Sequence, residues 1–171
     1  MSNDWLPPLV LLKDAGGDWT AYEEALYGWF KKDFIDSVPA WPGKRVGLKR
    51  HPLSKNKEAT FWHFISEGKT ESDREIDLRR CEVIRWPRPT IEAFIGRRPA
   101  TEDRIVWWRN ERQGAERILL ALPDFSYLMV LADRGDYILP WTQYLIEHAN
   151  RREKYRKEFD VYWANQDIRK G

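Results

Sequence analysis

Three histidines, one cysteine and a few dense clusters of charge are the reactive groups that this 171-residue chain offers. His51 follows Lys49 and Arg50 and precedes Pro52, which sets an imidazole able to exchange a proton beside two cations. His63 stands among aromatics in Phe61-Trp62-His63-Phe64, where it serves as an acid or base, or as a hydrogen-bonded core residue. His148 opens the last helical segment and reads as a surface residue. Arg79 and Arg80 lie in the charged stretch from Asp73 to Glu82. Ion pairs on a solvated helix would explain that stretch, and so would phosphate recognition, since a guanidinium meets a phosphate with two parallel hydrogen bonds. Thr142 and Tyr144 are two apart in Trp141-Thr142-Gln143-Tyr144 and share one face of a strand. A hydroxyl and a phenol placed so can hold a phosphate or a sugar hydroxyl, although plain β-propensity accounts for the same pair.

Other chemistries find no support. There is no phosphate-binding loop, dinucleotide fingerprint, Gly-x-Ser-x-Gly elbow or His-Glu-x-x-His. Cys81, His51, His63 and His148 form no close pair of the kind structural zinc sites favour, so neither metal nor cofactor is expected. A single cysteine makes no internal disulfide and fits a reducing cytoplasm. No apolar run approaches the roughly 18 residues of a membrane span, and the prolines of Leu6 to Leu12, with no basic stretch ahead of them, do not read as a signal peptide. The 29 basic and 27 acidic residues leave a net charge of only +2. The charge is uneven, however: Lys44 to Lys57 holds no acid, and Arg79, Arg80, Arg85, Arg88, Arg97 and Arg98 follow with only Glu82 and Glu92 among them. Such a local field can attract a polyanion despite a near-neutral total.

These residues need elements to position them. Ten Trp, seven Tyr and seven Phe within a 42% hydrophobic composition exclude a disordered chain. Residues 1–17 read as an irregular lead, and 18–171 as a single α+β domain. Thr20 with Glu23 reads as a capping box that opens a helix, whose face carries Trp19, Tyr22, Leu26, Trp29, Phe30 and Phe34 and which stops before Pro39. Arg45 to His51 is a candidate edge strand, and Glu58 to Glu67 is ambiguous between helix and strand. Glu71 to Trp86 is expected to be helical, closed by Pro87 and Pro89, with another short turn at Thr90 to Ile95. Arg104 to Arg109, Glu116 to Leu122, Phe125 to Leu131 and Tyr137 to Ile146 are β-rich runs separated by turn residues, the signature of a four-stranded antiparallel meander. In the turn Arg134-Gly135-Asp136, Gly135 is expected to supply a positive φ. A last helix from about Glu147 to Asn165, with Arg152, Tyr155, Phe159 and Tyr162 or Trp163 on its apolar stripe and Glu153 paired to Lys157, is expected to pack on the sheet together with the first. Helices first, then strands, then one packing helix give an α+β layer fold.

The run Phe125-Ser126-Tyr127-Leu128-Met129-Val130-Leu131, then Arg134, Tyr137 and Trp141-Thr142-Gln143-Tyr144, then Arg151-Arg152-Glu153-Lys154, resembles phage- and prophage-encoded domains of the barnase–EndoU–colicin–RelE-like nuclease superfamily. The segments Arg50-His51-Pro52 and Phe61-Trp62-His63 are similar to basic and His-bearing segments of the same group, and the resemblance spans roughly residues 45–160. It implies metal-free RNA cleavage, in which the ribose 2′-hydroxyl attacks the adjacent phosphorus with help from a base, an acid and cations. Carried over residue by residue, His51 and His63 become the acid/base candidates, Arg50 and Arg80 face the phosphate, Thr142 and Tyr144 hold it, and Lys154 is a further cation. Gln143 stands where the family pattern has Ala.

Two readings follow. One is a metal-independent endoribonuclease, toxin-like or phage-borne, with RNA as substrate and a protein inhibitor or a phage or host protein as possible partner. The other is a non-enzymatic RNA- or protein-binding module of the same fold, for which ten tryptophans offer stacking platforms. Exposure of Trp5, Trp41 or Trp163 would favour the second.

Overall fold

The computed structural model describes residues 2–170. Helix α1 (Trp19–Phe34) begins where the Asp18 carboxylate accepts the Ala21 N–H, one of the donors that a helix start leaves open. Thr20 and Glu23 do not form the expected box, because Asp18 already caps the turn. Glu23 is instead buried and pairs with Lys55 and Lys57. The preceding lead is less irregular than its composition implies. It holds a 3-10 turn, Leu12–Ala15, and is tied to the domain by hydrogen bonds from Tyr22 Oη to Val10 O (2.6 Å), Val10 N to Glu82 O (2.9 Å) and Trp86 Nε1 to Pro7 O (2.9 Å).

After α1 the chain is a series of short pieces. The expected edge strand shrinks to β1 (Arg45–Val46). The ambiguous stretch resolves into helix α2 (Ala59–Ile65) followed at once by strand β2 (Ser66–Glu67). The single helix expected over Glu71 to Trp86 is broken into a 3-10 turn (Glu71–Asp73), strand β3 (Glu75–Ile76) and helix α3 (Leu78–Glu82). Pairing of Ile76 with Ser66 draws the chain out straight. Asp77 then starts a new helix by accepting the N–H groups of both Arg79 and Arg80. Pro87 opens helix α4 (Pro87–Glu92) as well as ending what precedes it, since a proline in the first turn forgoes only a bond the helix lacks anyway.

The second half forms the expected meander: β4 (Val106–Arg112), β5 (Ala115–Ala121), β6 (Tyr127–Asp133) and β7 (Tyr137–Leu145), all antiparallel. Gly135 has the positive φ (92°) its turn requires. The edge strand was not expected to join the four-stranded meander. β1 adds to β7 in parallel, giving the order β1-β7-β6-β5-β4 and a mixed sheet. Register runs Trp108–Leu119–Val130–Thr142 across one face and Trp107–Leu120–Met129–Gln143 across the other. Between them the ladder skips Trp141: Val130 pairs with Thr142 but Leu131 with Pro140, so Trp141 is the extra residue of a bulge.

The face of Met129 and Gln143 is covered by α2 and α3, which pack on β7. Helix α1 stands behind α2 through Phe30–Phe61 and Phe34–Phe64 ring contacts (5.5 and 5.4 Å between centroids), so it covers the sheet at one remove rather than directly. Helix α5 (Ala149–Lys170) packs on β4 and sets Phe159 against Trp108 on the opposite face. It runs longer than expected, and Glu153 pairs with Arg156 rather than with Lys157. The architecture is α+β, with a mixed sheet containing the β4–β7 meander and a C-terminal helix packed on β4. Among the described residues no helix is long and apolar enough to cross a membrane.

Candidate nucleic-acid interface

Arg80 lies where three short elements converge on β7. Its side chain is 11% exposed, and the guanidinium is held by fixed partners. Nη1 donates to Ser66 O (2.7 Å), at the start of β2, and to Thr142 Oγ1 (3.1 Å), on β7. Thr142 Oγ1 in turn donates to His63 O (3.1 Å), at the end of α2. Nε lies 3.2 Å from Asp77 Oδ2 without a hydrogen-bonding angle, and Nη2 lies 3.6 Å from Glu67 Oε2. A second guanidinium, that of Arg74, grips the same peptide through Ser66 O (2.7 Å) and Ser66 Oγ (2.8 Å). Gln143, whose side chain points to the other face, locks this junction from below: its Nε2 donates to Phe64 O (2.8 Å) and Arg80 O (3.0 Å). Its bulk is thus structural and does not crowd the cleft.

Tyr144 extends the cluster. Its ring is stacked between two cations, with Arg80 at 5.0 Å and Arg151 of α5 at 5.7 Å from the centroid. Its hydroxyl shares a 2.6 Å hydrogen bond with Tyr155. Burial, reinforced by that bond, pushes the Tyr144 phenol well above its ordinary pKa, so it stays protonated at neutral pH. The site thus sets the guanidinium groups of Arg80 and Arg151 against a protonated phenol, with one carboxylate, Glu67, beside Arg80.

Sequence reasoning placed three of these residues, Arg80, Thr142 and Tyr144, and the fold brings them together. His63 touches the cluster through its backbone carbonyl alone. Its side chain, 3% exposed, turns to Glu71, with Nε2 2.7 Å from Oε1, while Glu71 also accepts from Lys49 Nζ (3.1 Å); the Trp141 ring stands nearly perpendicular to the imidazole, 4.8 Å between centroids, with Lys49 Nζ 5.1 Å over the indole. Burial pushes the His63 pKa down, and the Glu71 hydrogen bond only partly opposes this. The Glu71 carboxyl is penalised by burial, yet bonds from His63 and Lys49 outweigh that and hold it below its ordinary value. The pair is thus a neutral imidazole donating to a carboxylate.

Arg50 and His51 are not in the cluster. Both are exposed at the opposite end of α2, about 10 Å away along a seven-residue helix, and Arg50 lies near Glu58 (3.8 Å). The acid/base role expected for His51 finds no partner there, because α2 is a helix and puts its two ends apart. Lys154 is exposed on α5 beside Tyr155, with no ion pair among the described residues. Cys81 is buried, its thiol pushed up to about 12 by burial, and is inert at neutral pH. Sequence reasoning missed Glu67, Arg151 and Tyr155 as site residues. Tyr155 was visible as part of the α5 stripe, but nothing in the spacing tied it to Tyr144.

Next to the cluster, a groove of about 650 Å³ crosses the open part of the sheet. Val130 and Ala132 form its floor, and Lys69, Arg112, Arg117 and Arg134 stand around it with Trp141. None of these cations has an ion pair among the described residues, and no carboxylate lines the groove. Of the tryptophans expected to report on binding, Trp163 is buried, while Trp5 and Trp41 are half-buried, Trp41 stacked on Phe94 at 3.9 Å. Most of the indoles pack the core, and Trp141 opens on the groove. No group of three or more His, Cys, Asp or Glu able to hold a metal ion occurs among the described residues. Set against models of known protein families, curated proteins and solved structures, the chain matches none of them.

Proposed function

We propose that the protein is an endoribonuclease that cleaves RNA through its own 2′-hydroxyl, without a metal ion, in a reducing cytoplasm. The observation that carries this reading is the Arg80–Thr142–Tyr144 cluster: a guanidinium fixed by three segments, beside a protonated phenol, at the rim of a basic groove. Arg80, with Arg151, neutralises the phosphate as negative charge builds on it. Glu67 takes the proton of the 2′-hydroxyl, whose oxygen attacks the adjacent phosphorus. The bond from phosphorus to the 5′-oxygen breaks as Tyr144 gives that oxygen its proton, leaving a 2′,3′-cyclic phosphate and a 5′-hydroxyl. Solvent then returns the proton from Glu67 to Tyr144.

The test is incubation with total RNA in EDTA, comparing the wild type with Tyr144→Phe, which keeps the ring and removes the hydroxyl, and with Arg80→Lys. Wild-type fragments ending in cyclic phosphate are expected, reduced at least a hundredfold in Tyr144→Phe, the usual scale of acid–base assistance. Fragments of equal yield from both variants would overturn the assignment. A second reading, RNA binding without turnover, is favoured by the positions of the histidines, since neither imidazole reaches the cleft. Intact RNA that co-migrates with wild-type protein on a native gel would decide for it.

A further inference from the structure

The cluster around Arg80 accounts for one phosphate, but the neighbouring groove has charge for several. Arg112 belongs to the tip of the β4–β5 hairpin, Arg117 to β5, Arg134 to the β6–β7 turn and Lys69 to the loop after β2. Four separate segments thus direct cations at one trough, and no acid on its walls offsets them. This departs from the chain as a whole, in which 29 bases are nearly matched by 27 acids, and from its other clustered arginines, most of which have carboxylate partners. Arg117 is half-buried, its Nε held by Asn110 Oδ1 (2.9 Å), so its charge is positioned rather than free to wander. The trough is also continuous with the cluster: Trp141 on its wall immediately precedes Thr142, and Gly68 on its rim immediately follows Glu67. The bulge is what allows this, since it turns the indole of Trp141 out of ladder register.

We infer that the groove is the strand path for single-stranded RNA, with Lys69, Arg112, Arg117 and Arg134 on the phosphates flanking the one at Arg80 and Trp141 as the platform for an unpaired base. The inference rests on the RNA reading above and names the form of RNA. At about 650 Å³ the cleft falls in the range that holds a small ligand, about 300 to 1,000 Å³, and is too small for a duplex. Bases in a duplex are also stacked and closed to an indole, whereas single strands are read by aromatic platforms in basic grooves.

The experiment measures binding of a fluorescein-labelled oligouridine and of a duplex of the same length over a salt series, in EDTA and with 2′-deoxy substitution to prevent cleavage. Wild type is expected to prefer the single strand, to show quenched tryptophan emission, and to lose affinity steeply with salt. The triple variant Lys69→Ser/Arg112→Ser/Arg134→Ser, confined to exposed side chains, is expected to lower the slope of log affinity against log salt by about 2, at roughly 0.7 per phosphate contact. Trp141→Ala is expected to bind about tenfold more weakly and to lose the quench. Equal affinity of wild type and triple variant, or a preference for the duplex, would overturn the strand path, as would binding of an acidic protein but not of the oligonucleotide. The two proposals fail separately. Loss of cleavage in Tyr144→Phe leaves the nuclease reading standing whichever way the groove result falls. A groove that binds single strands in a protein that cuts none leaves the strand path standing alone.

Discussion

At the scale of single residues, the design is of polar groups pinned at junctions. Gln143 spends its amide on two backbone carbonyls, and Thr142 spends its hydroxyl on Arg80 and His63 O, so adjacent residues of β7 hold α2 and α3 from opposite faces. His63 belongs to the same economy. Because burial lowers its pKa in the folded protein, the unfolded chain binds a proton first as pH falls, and stability declines with acidification. The stabilising contribution of the neutral ring is complete above the unfolded value of about 6.5 and is lost progressively below it. Thermal melts between about pH 7.5 and about pH 5.5 should therefore show a falling midpoint in the wild type and a flatter one in His63→Gln. Parallel slopes in the two proteins would remove His63 as the cause.

At the scale of elements, Asp133 at the end of β6 is the pin that holds the meander to the preceding loop. It receives Arg109 from β4 (2.9 Å), Lys44 from the stretch before β1 (3.0 Å) and the Gly135 N–H (3.0 Å). Burial works against its charge, but Arg109, Gly135 and Lys44 together pull its pKa down to about 2. A carboxylate depressed in this way stabilises the fold above its unfolded value of about 3.9, and that support disappears as pH falls toward 2. Asp133→Asn should cost about 2 kcal/mol at neutral pH by denaturant unfolding, on the scale of a buried charge partner removed, about half as much near pH 3, and little near pH 2. A cost that does not shrink with acidification would mean that shape, not charge, matters there.

Elements also divide into those the sequence makes legible and those it does not. The meander was readable because each run is apolar and β-rich and each turn carries Gly, Pro, Asn or Asp. The break inside Glu71 to Trp86 was not, since helical spacing of Ile76, Cys81 and Ile84 survives in the residues while a pairing with Ser66 overrides it. The alternation of Arg45 to His51 marked β1 as an edge strand, but its pairing could not be read, since a parallel partner some ninety positions away leaves no local mark. The site follows suit. Arg80, Thr142 and Tyr144 carried chemistry in their own neighbourhoods, whereas Glu67 and Tyr155 became partners solely through tertiary contact.

For the whole molecule, the lead serves as a strap. It joins α1 through Tyr22, α3 through Glu82 and the segment before α4 through Trp86, with Leu6 buried beside them. Deleting residues 2–10 removes three hydrogen bonds, each worth about 1 kcal/mol net, together with the Leu6 contact. For a chain of this size the melting midpoint should then fall by about 10 °C, at 2–4 °C per kcal/mol. A truncated chain that melts with the full-length protein would show the strap to be ornamental.

The two-residue strand β1 has a consequence for how these molecules behave in a crowd. It occupies the outer margin of β7 at Tyr137 and Ile138, and Gly47 N extends it by bonding Ile138 O (2.8 Å). Just beyond lie Pro140, which has no N–H to give, and the bulge at Trp141, which interrupts the ladder. The opposite margin, β4, ends in Arg109, Asn110, Glu111 and Arg112. One border of the sheet is thus sealed and the other is charged, and neither offers a second copy the long, flat row of free peptide groups on which β-rich chains zip together into aggregates.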